Sequence, residues 1–246
     1  MARPADATPD RRGRDGEHTL LVPFVLSAAL LAWSAVGNLA LGDTAYVPRN
    51  LALTVVLLWG ARRSELTWDE LGLDPDRWRG GTRLGAVSAG LVVVVVVAGV
   101  ALRDQVPLVA TLLADDRAAL SGAGLAYQAL LRIPLGTAVF EEVAFRGVLL
   151  AVLLRSLPPA AAWAWAAAVF GLWHVPPTIV ALRLNDVVPT GGEGLAATAG
   201  AVVVTAVAGL GFAWLRSRGK HLTAPVLAHW ATNAAGLVAA AATRPG

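Results

Sequence analysis

Cysteine is absent from the 246 residues, and lysine occurs once. The first absence excludes a disulfide framework, a thiolate metal site and a cysteine nucleophile. Charge is also scarce. Asp, Glu, Lys and Arg make up 15% of the chain, against about 25% in a soluble domain. Apolar residues reach 56%, and the mean hydropathy is +0.61. Together these exclude a disordered protein, an ordinary soluble enzyme and a nucleic-acid binder. The net charge of +3 and pI near 10.1 matter less than where the charges sit. Nineteen arginines beside the single lysine point to a GC-rich genome rather than to a function. No internal repeat of fixed period is present.

What the chain does have is long apolar runs, seven in number, over residues 20–41, 51–61, 84–102, 124–154, 159–175, 195–215 and 222–241. About 20 apolar residues cross a bilayer, so the reading is an all-α transmembrane bundle of about seven spans. The second run is short at its core. The fourth exceeds a simple crossing and must tilt or project. Residues 1–19 are polar with Pro and Gly and read as a disordered tail, leaving 20–246 as one transmembrane domain. The first run is too long for the ~7–15 apolar residues of a cleaved signal and reads as an anchor.

Counting Arg and Lys on alternate sides of seven spans gives thirteen on the side of the N-terminus and five on the other. Positive charge stays inside, so the N-terminus is expected in the cytoplasm, and the basic loops are topology signals. Within the loop 62–83, Trp68, Leu71, Leu73 and Trp78 suggest a short helix lying in the interface. Small residues at 160–168 and 234–242 suggest close packing of the fifth and seventh helices. Asn38 is a candidate for an interhelical hydrogen bond, and Arg132, early in the fourth run, is expected to snorkel to the surface.

Fifteen of the 17 acidic residues lie in the tail or loops; the exceptions, Glu141 and Glu142, are adjacent in the fourth run. Arg146 follows one turn later. His174 and His229 lie in the fifth and seventh runs, and Asn233 is one turn beyond His229. A charge at the bilayer centre costs at least ~2.5–3.5 kcal/mol, so five ionisable groups on three helices are far cheaper in one shared polar cavity. Glu142 and Arg146, at i and i+4, can pair on one face. Glu141, rotated by ~100°, stays free to act as a base. His229 and Asn233 present two hydrogen-bonding groups to one neighbour. The bland alternative is a polar knot that only locks helix packing. Trp173 and Trp230 read as packing residues.

The pieces Glu141-Glu142-Val-Ala-Phe-Arg146, Phe170-Gly-Leu-Trp-His174 and His229-Trp-Ala-Thr-Asn233 occur in this order on three separate runs. This pattern resembles the CPBP family of intramembrane proteases, the CAAX-protease and bacteriocin-processing family, over about 124–241. The resemblance implies an endopeptidase acting on a membrane-associated peptide, CAAX-like or a leader peptide, in the plasma membrane of a bacterial cell. It implies that Glu141 and His174 activate a water, that Glu142 and Arg146 hold the site, and that His229 and Asn233 donate to the oxyanion. The chain contains no H-E-x-x-H helix, no G-x-S-x-G elbow and no aspartate within a run.

Glu141, His174 and His229 are also the ligand types of a catalytic zinc site. The residues alone leave either zinc or no cofactor open, with Asn233 a poor zinc ligand and a good donor. Two other functions stay in view: a non-catalytic immunity or scaffold protein of the same fold, and a proton-coupled transporter using the same groups as a relay. Against the transporter, no repeated halves with broken helices are evident. One tension concerns depth. At 1.5 Å per residue His229 lies about 10 Å from the start of its run, and His174 about 22 Å from the start of the fifth. The sequence suggests that the fifth run starts deep or tilts, with Pro176–Pro177 closing it.

Overall fold

The computed structural model describes residues 12–244, and every regular element among them is helical. Helix α1 (Arg12–Ala35) continues as a π-helical stretch, Val36–Ala40. Then come α2 (Tyr46–Arg63), α3 (Trp78–Leu102) and the short α4 (Pro107–Leu113). A continuous rod over 122–154, here α5, is built from Gly122–Tyr127, a π stretch Gln128–Ala138, Val139–Glu142, a second π stretch Val143–Leu149, and Leu150–Leu154. Helices α6 (Pro159–Trp173), α7 (Val175–Leu184), α8 (Gly192–Gly219) and α9 (Thr223–Thr243) complete the bundle. Of the tail expected over 1–19, residues 1–11 lie outside the described residues; α1 begins at Arg12.

Each of the seven apolar runs is thus a helix or a pair of helices. Residues Leu20–Ala40, Trp78–Leu102, Pro159–Leu184 and Gly192–Gly219 are long and apolar enough to cross a membrane. Polar side chains keep the other three below that standard: Arg49, Asn50, Arg62 and Arg63 on α2, four charges on α5, and His229 and Asn233 on α9. The fold is a helical membrane bundle whose apolar surface faces outward and whose polar residues gather inside. In lipid every backbone polar group needs a protein partner, which is why helices carry the whole structure.

The bent rod α5 meets that demand with side chains from its neighbours. In π register the N–H of residue 134 would bond the carbonyl of residue 129, but Pro134 has none. Trp230 Nε1 donates to Ala129 O at 2.7 Å instead. Near the change from π to α register, Asn50 Nδ2 donates to Gly136 O at 2.8 Å. Trp230 is therefore more than packing: it repairs the proline break.

Close packing follows the small residues, but the pairs are specific. Helix α6 lies on α8, where a Cβ at Gly171 would sit 2.6 Å from Val202 O. Helix α9 lies on α3, where a Cβ at Gly85 would sit 2.8 Å from Thr223 O. Only glycine permits either approach.

Several expectations are corrected. Residues 64–77 form turns rather than an interfacial helix. Leu66 and Leu71 are fully buried against Val143, Val148, Ala151 and Leu222, because the segment is strapped inward. Arg155 donates to both carboxylate oxygens of Glu70, at 2.7 and 2.9 Å, and Arg216 Nη2 donates to the carbonyls of Asp69 and Glu70. Asn38 donates within its own helix, to Ser34 O. Arg132, expected to reach the surface, pairs with the exposed Asp43 and lies over the Tyr46 ring. Pro176–Pro177 do not close the fifth run. They open α7, where a proline needs no N–H partner.

The depth tension resolves at the other helix. Leu222, just before α9, reaches Gly147: its Cδ1 lies 3.3 Å from where a Gly147 Cβ would be. Gly147 is eight residues, about 12 Å, in from Arg155 at the end of α5. The seventh helix starts deep, so His229 reaches the level of the glutamates.

The strap makes a prediction. Hydrogen bonding from Arg155, aided by Thr67, holds the Glu70 carboxyl down at about 2 against burial that acts the other way. A carboxyl depressed below its unfolded value of about 4.3 stabilises above that value and stops doing so as pH falls through the folded one. Lowering pH from about 5 to about 2 is therefore expected to loosen residues 64–77. A spin label on Asp76→Cys, in a chain with no other cysteine, should gain mobility in that window. In Glu70→Gln the label should be mobile already at pH 7; a label unaffected by either change would refute the role of Glu70.

Candidate active site

The site is assembled from four elements around Val139–Glu142, the α-helical turn between the two π stretches of α5. Glu141, Glu142, Arg146 and His229 are all buried, Glu142 completely. Arg146 Nη1 donates to Glu142 Oε1 at 3.1 Å, so the i,i+4 pair read from the sequence is formed. The same oxygen accepts from His229 Nδ1 at 2.8 Å. A carboxylate can only accept here, so the proton on Nδ1 is fixed and Nε2 is turned toward Glu141, whose Oε2 lies 3.8 Å away.

Glu141 is divided between two duties. Its Oε1 accepts from the indole N–H of Trp173 at 3.1 Å. Its Oε2 has no hydrogen-bond partner among the described residues, and neither do Glu142 Oε2 and Arg146 Nη2. Glu141, rotated about 100° from Glu142, keeps one carboxylate oxygen without a hydrogen-bond partner among the described residues.

His174 stands at the break between α6 and α7, with φ −84° and ψ −3°. Its Nδ1 lies 2.7 Å from Phe170 O. A carbonyl cannot donate, so Nδ1 carries the proton and Nε2 is left with its lone pair. Glu141, His229 and Arg146 all lie within electrostatic range of the ring. The break is held from α1: Ser34 Oγ donates to Trp173 O at 2.7 Å. Asn233 is partly buried and has no side-chain hydrogen bond among the described residues.

An aromatic wall surrounds these groups. The Arg146 guanidinium lies 4.0 Å from the Phe170 ring centre and 5.1 Å from that of Phe212. Phe212, on α8, stacks on His229 at 5.0 Å between centroids and 16° between planes. Phe140 and Phe145 flank Trp173 at 5.8 and 5.4 Å. Sequence reasoning missed Phe212 altogether, since α8 carries no motif, and it treated Trp173 as packing. The only signal for Trp173 was its place beside His174. Phe212→Leu, which keeps the burial and loses the stack, is expected to cost about 1 kcal/mol of unfolding free energy. Denaturation in detergent checks it, and unchanged stability would discount the stack.

Among the described residues, no group of three or more His, Asp or Glu side chains stands in a metal-holding arrangement. Glu142 and Phe170 O hold the Nδ1 atoms of His229 and His174 and leave Nε2 of each ring available, and Trp173 holds one oxygen of Glu141. The set Glu141, His174 and His229 left open by the sequence does not stand in a metal-holding arrangement among the described residues.

Residues 123–235 match the family described as Rce1-like, type II CAAX prenyl endopeptidase. The match spans a little under half of the chain and contains every residue of the cluster. No curated protein and no solved structure matches the chain.

Proposed function

We propose that this chain, whose residues 123–235 match the Rce1-like family of type II CAAX prenyl endopeptidases, is an intramembrane endopeptidase working by a glutamate- and histidine-activated water. The observation that carries the reading is the chain of contacts Arg146–Glu142–His229, which aims an imidazole nitrogen at a buried Glu141 oxygen that has no hydrogen-bond partner among the described residues.

In this reading Glu141 Oε2 and His174 Nε2 accept hydrogen bonds from a water and orient it toward the scissile carbonyl. Glu141 takes the proton as the water attacks and returns it to the leaving amine. His229 Nε2 and Asn233 Nδ2 donate to the developing oxyanion. For His229 to donate from Nε2 while its Nδ1–H stays on Glu142, the ring carries both protons. Glu142 and Arg146 hold His229 and touch no substrate.

The substrate is a peptide bond in a membrane-associated chain, reached from within the bilayer. The arginine count argues for seven crossings with the N-terminus in the cytoplasm, and the plasma membrane of a bacterial cell is the expected location. The test is cleavage by the purified protein in detergent, with prenylated and unprenylated reporter peptides. Turnover lost in His174→Ala and His229→Ala variants that stay folded supports the reading. A wild type that cleaves no reporter overturns it and favours a binding protein of the same fold.

A further inference from the structure

We infer that Trp173 is a positioning residue that selects which oxygen of Glu141 does the chemistry. The inference rests on the peptidase reading above and assigns a part to a residue that the second motif piece contains and the proposed mechanism leaves unused.

Trp173 is the last residue of α6, immediately before the break at His174. Its position is determined three times over. The ring is buried between Phe140 and Phe145. The carbonyl is anchored by Ser34 Oγ. The indole Nε1–H donates to Glu141 Oε1 at 3.1 Å. An indole offers one donor and no acceptor, so it can hold a carboxylate oxygen and cannot take its proton.

The consequence is an asymmetric carboxylate. Without a donor on one side, Glu141 could rotate about its terminal torsion, a broad and soft one, and present either oxygen at any angle. With Oε1 held by Trp173, Oε2 is the oxygen left facing His229 Nε2 at 3.8 Å. A general base must lie within hydrogen-bond reach of the proton it takes, and holding one oxygen sets the direction of the other. Because Trp173 and His174 are consecutive, the same backbone break also sets the second water ligand. The two groups that orient the water are thereby coupled through one anchored peptide.

The experiment has two arms. In the first, indole 15N–1H spectra of the full chain in detergent identify the Trp173 signal by its loss in Trp173→Phe. That signal should move in Glu141→Gln, where a neutral carboxamide replaces the carboxylate acceptor. In the second, Trp173→Phe, which keeps an aromatic ring and deletes the donor, is assayed on the reporter peptide that the wild type cleaves best. Its kcat should fall about ten- to a hundredfold, while KM stays within about twofold, since the indole touches Glu141 and not the peptide. A purely structural role would lower the fraction of folded enzyme and leave the kcat of the folded fraction unchanged. An indole signal insensitive to Glu141→Gln would overturn the contact. A moved signal with full kcat in Trp173→Phe would overturn the positioning role. If the wild type cleaves nothing, the peptidase reading fails first, and the unmoved or moved indole signal still decides the contact by itself.

Discussion

Glu141→Gln is expected to leave the fold intact and to lower kcat on a cleaved reporter peptide by about a thousandfold, within the range that a positioned acid–base group supplies. The substitution is nearly isosteric. The carboxamide oxygen can still accept from Trp173 Nε1–H, so the contact that orients residue 141 survives. What is lost is the charge and the lone pair on the second atom, which now donates. A group that donates cannot accept the proton of an attacking water, so the loss falls on the chemical step and KM stays near its wild-type value. Thermal unfolding in detergent checks that the protein is folded, and turnover checks the prediction. Activity within tenfold of wild type would mean that the base lies elsewhere.

Arg146→Met is expected to have the largest effect on stability. The guanidinium lies over Phe170 and bonds Glu142, and both charged groups are buried. Methionine fills much of the space and leaves Glu142 facing His229 alone. Removing one partner of a buried pair costs about 3–5 kcal/mol, because the other charge stays buried without compensation. The double variant Arg146→Met/Glu142→Gln removes both charges and should recover a large part of that loss. Equilibrium denaturation in detergent measures both. An Arg146→Met protein within about 1 kcal/mol of wild type would show that the pair is not holding the bundle together. The double variant should not cleave peptide, since His229 loses the carboxylate that orients it, and Arg146→Met should cleave more slowly, since Glu142 loses the donor that holds it.

Much of this molecule was legible in its sequence. Apolar runs predicted the helices because a bilayer offers the backbone no other partners. Glu142 and Arg146 could be paired in advance because an i,i+4 contact is decided by the helix itself. The convergence of Glu141, Glu142, Arg146 and His229 followed from the cost of charge in lipid, whichever way the helices packed. Residues 64–77 were misread for the converse reason. Their leucines and tryptophans suit an interfacial helix, but Arg155 and Arg216, distant in sequence, draw the segment inward and bury Leu66 and Leu71.

The sequence by itself thus determined the helices, the membrane setting and the inventory of reactive groups, since each depends on local periodicity or on solvation of single residues. The tertiary structure alone decided the partners. It gave His229 to Glu142, Trp173 to Glu141, Phe212 to His229 and Trp230 to the carbonyl below Pro134. It also set the depth of α9 and left Glu141, His174 and His229 ungathered as metal ligands. Those outcomes depend on how far one helix slides along another. That register is set by close packing at Gly85 and Gly171 and by single hydrogen bonds between helices, none of which leaves a periodic trace in the chain.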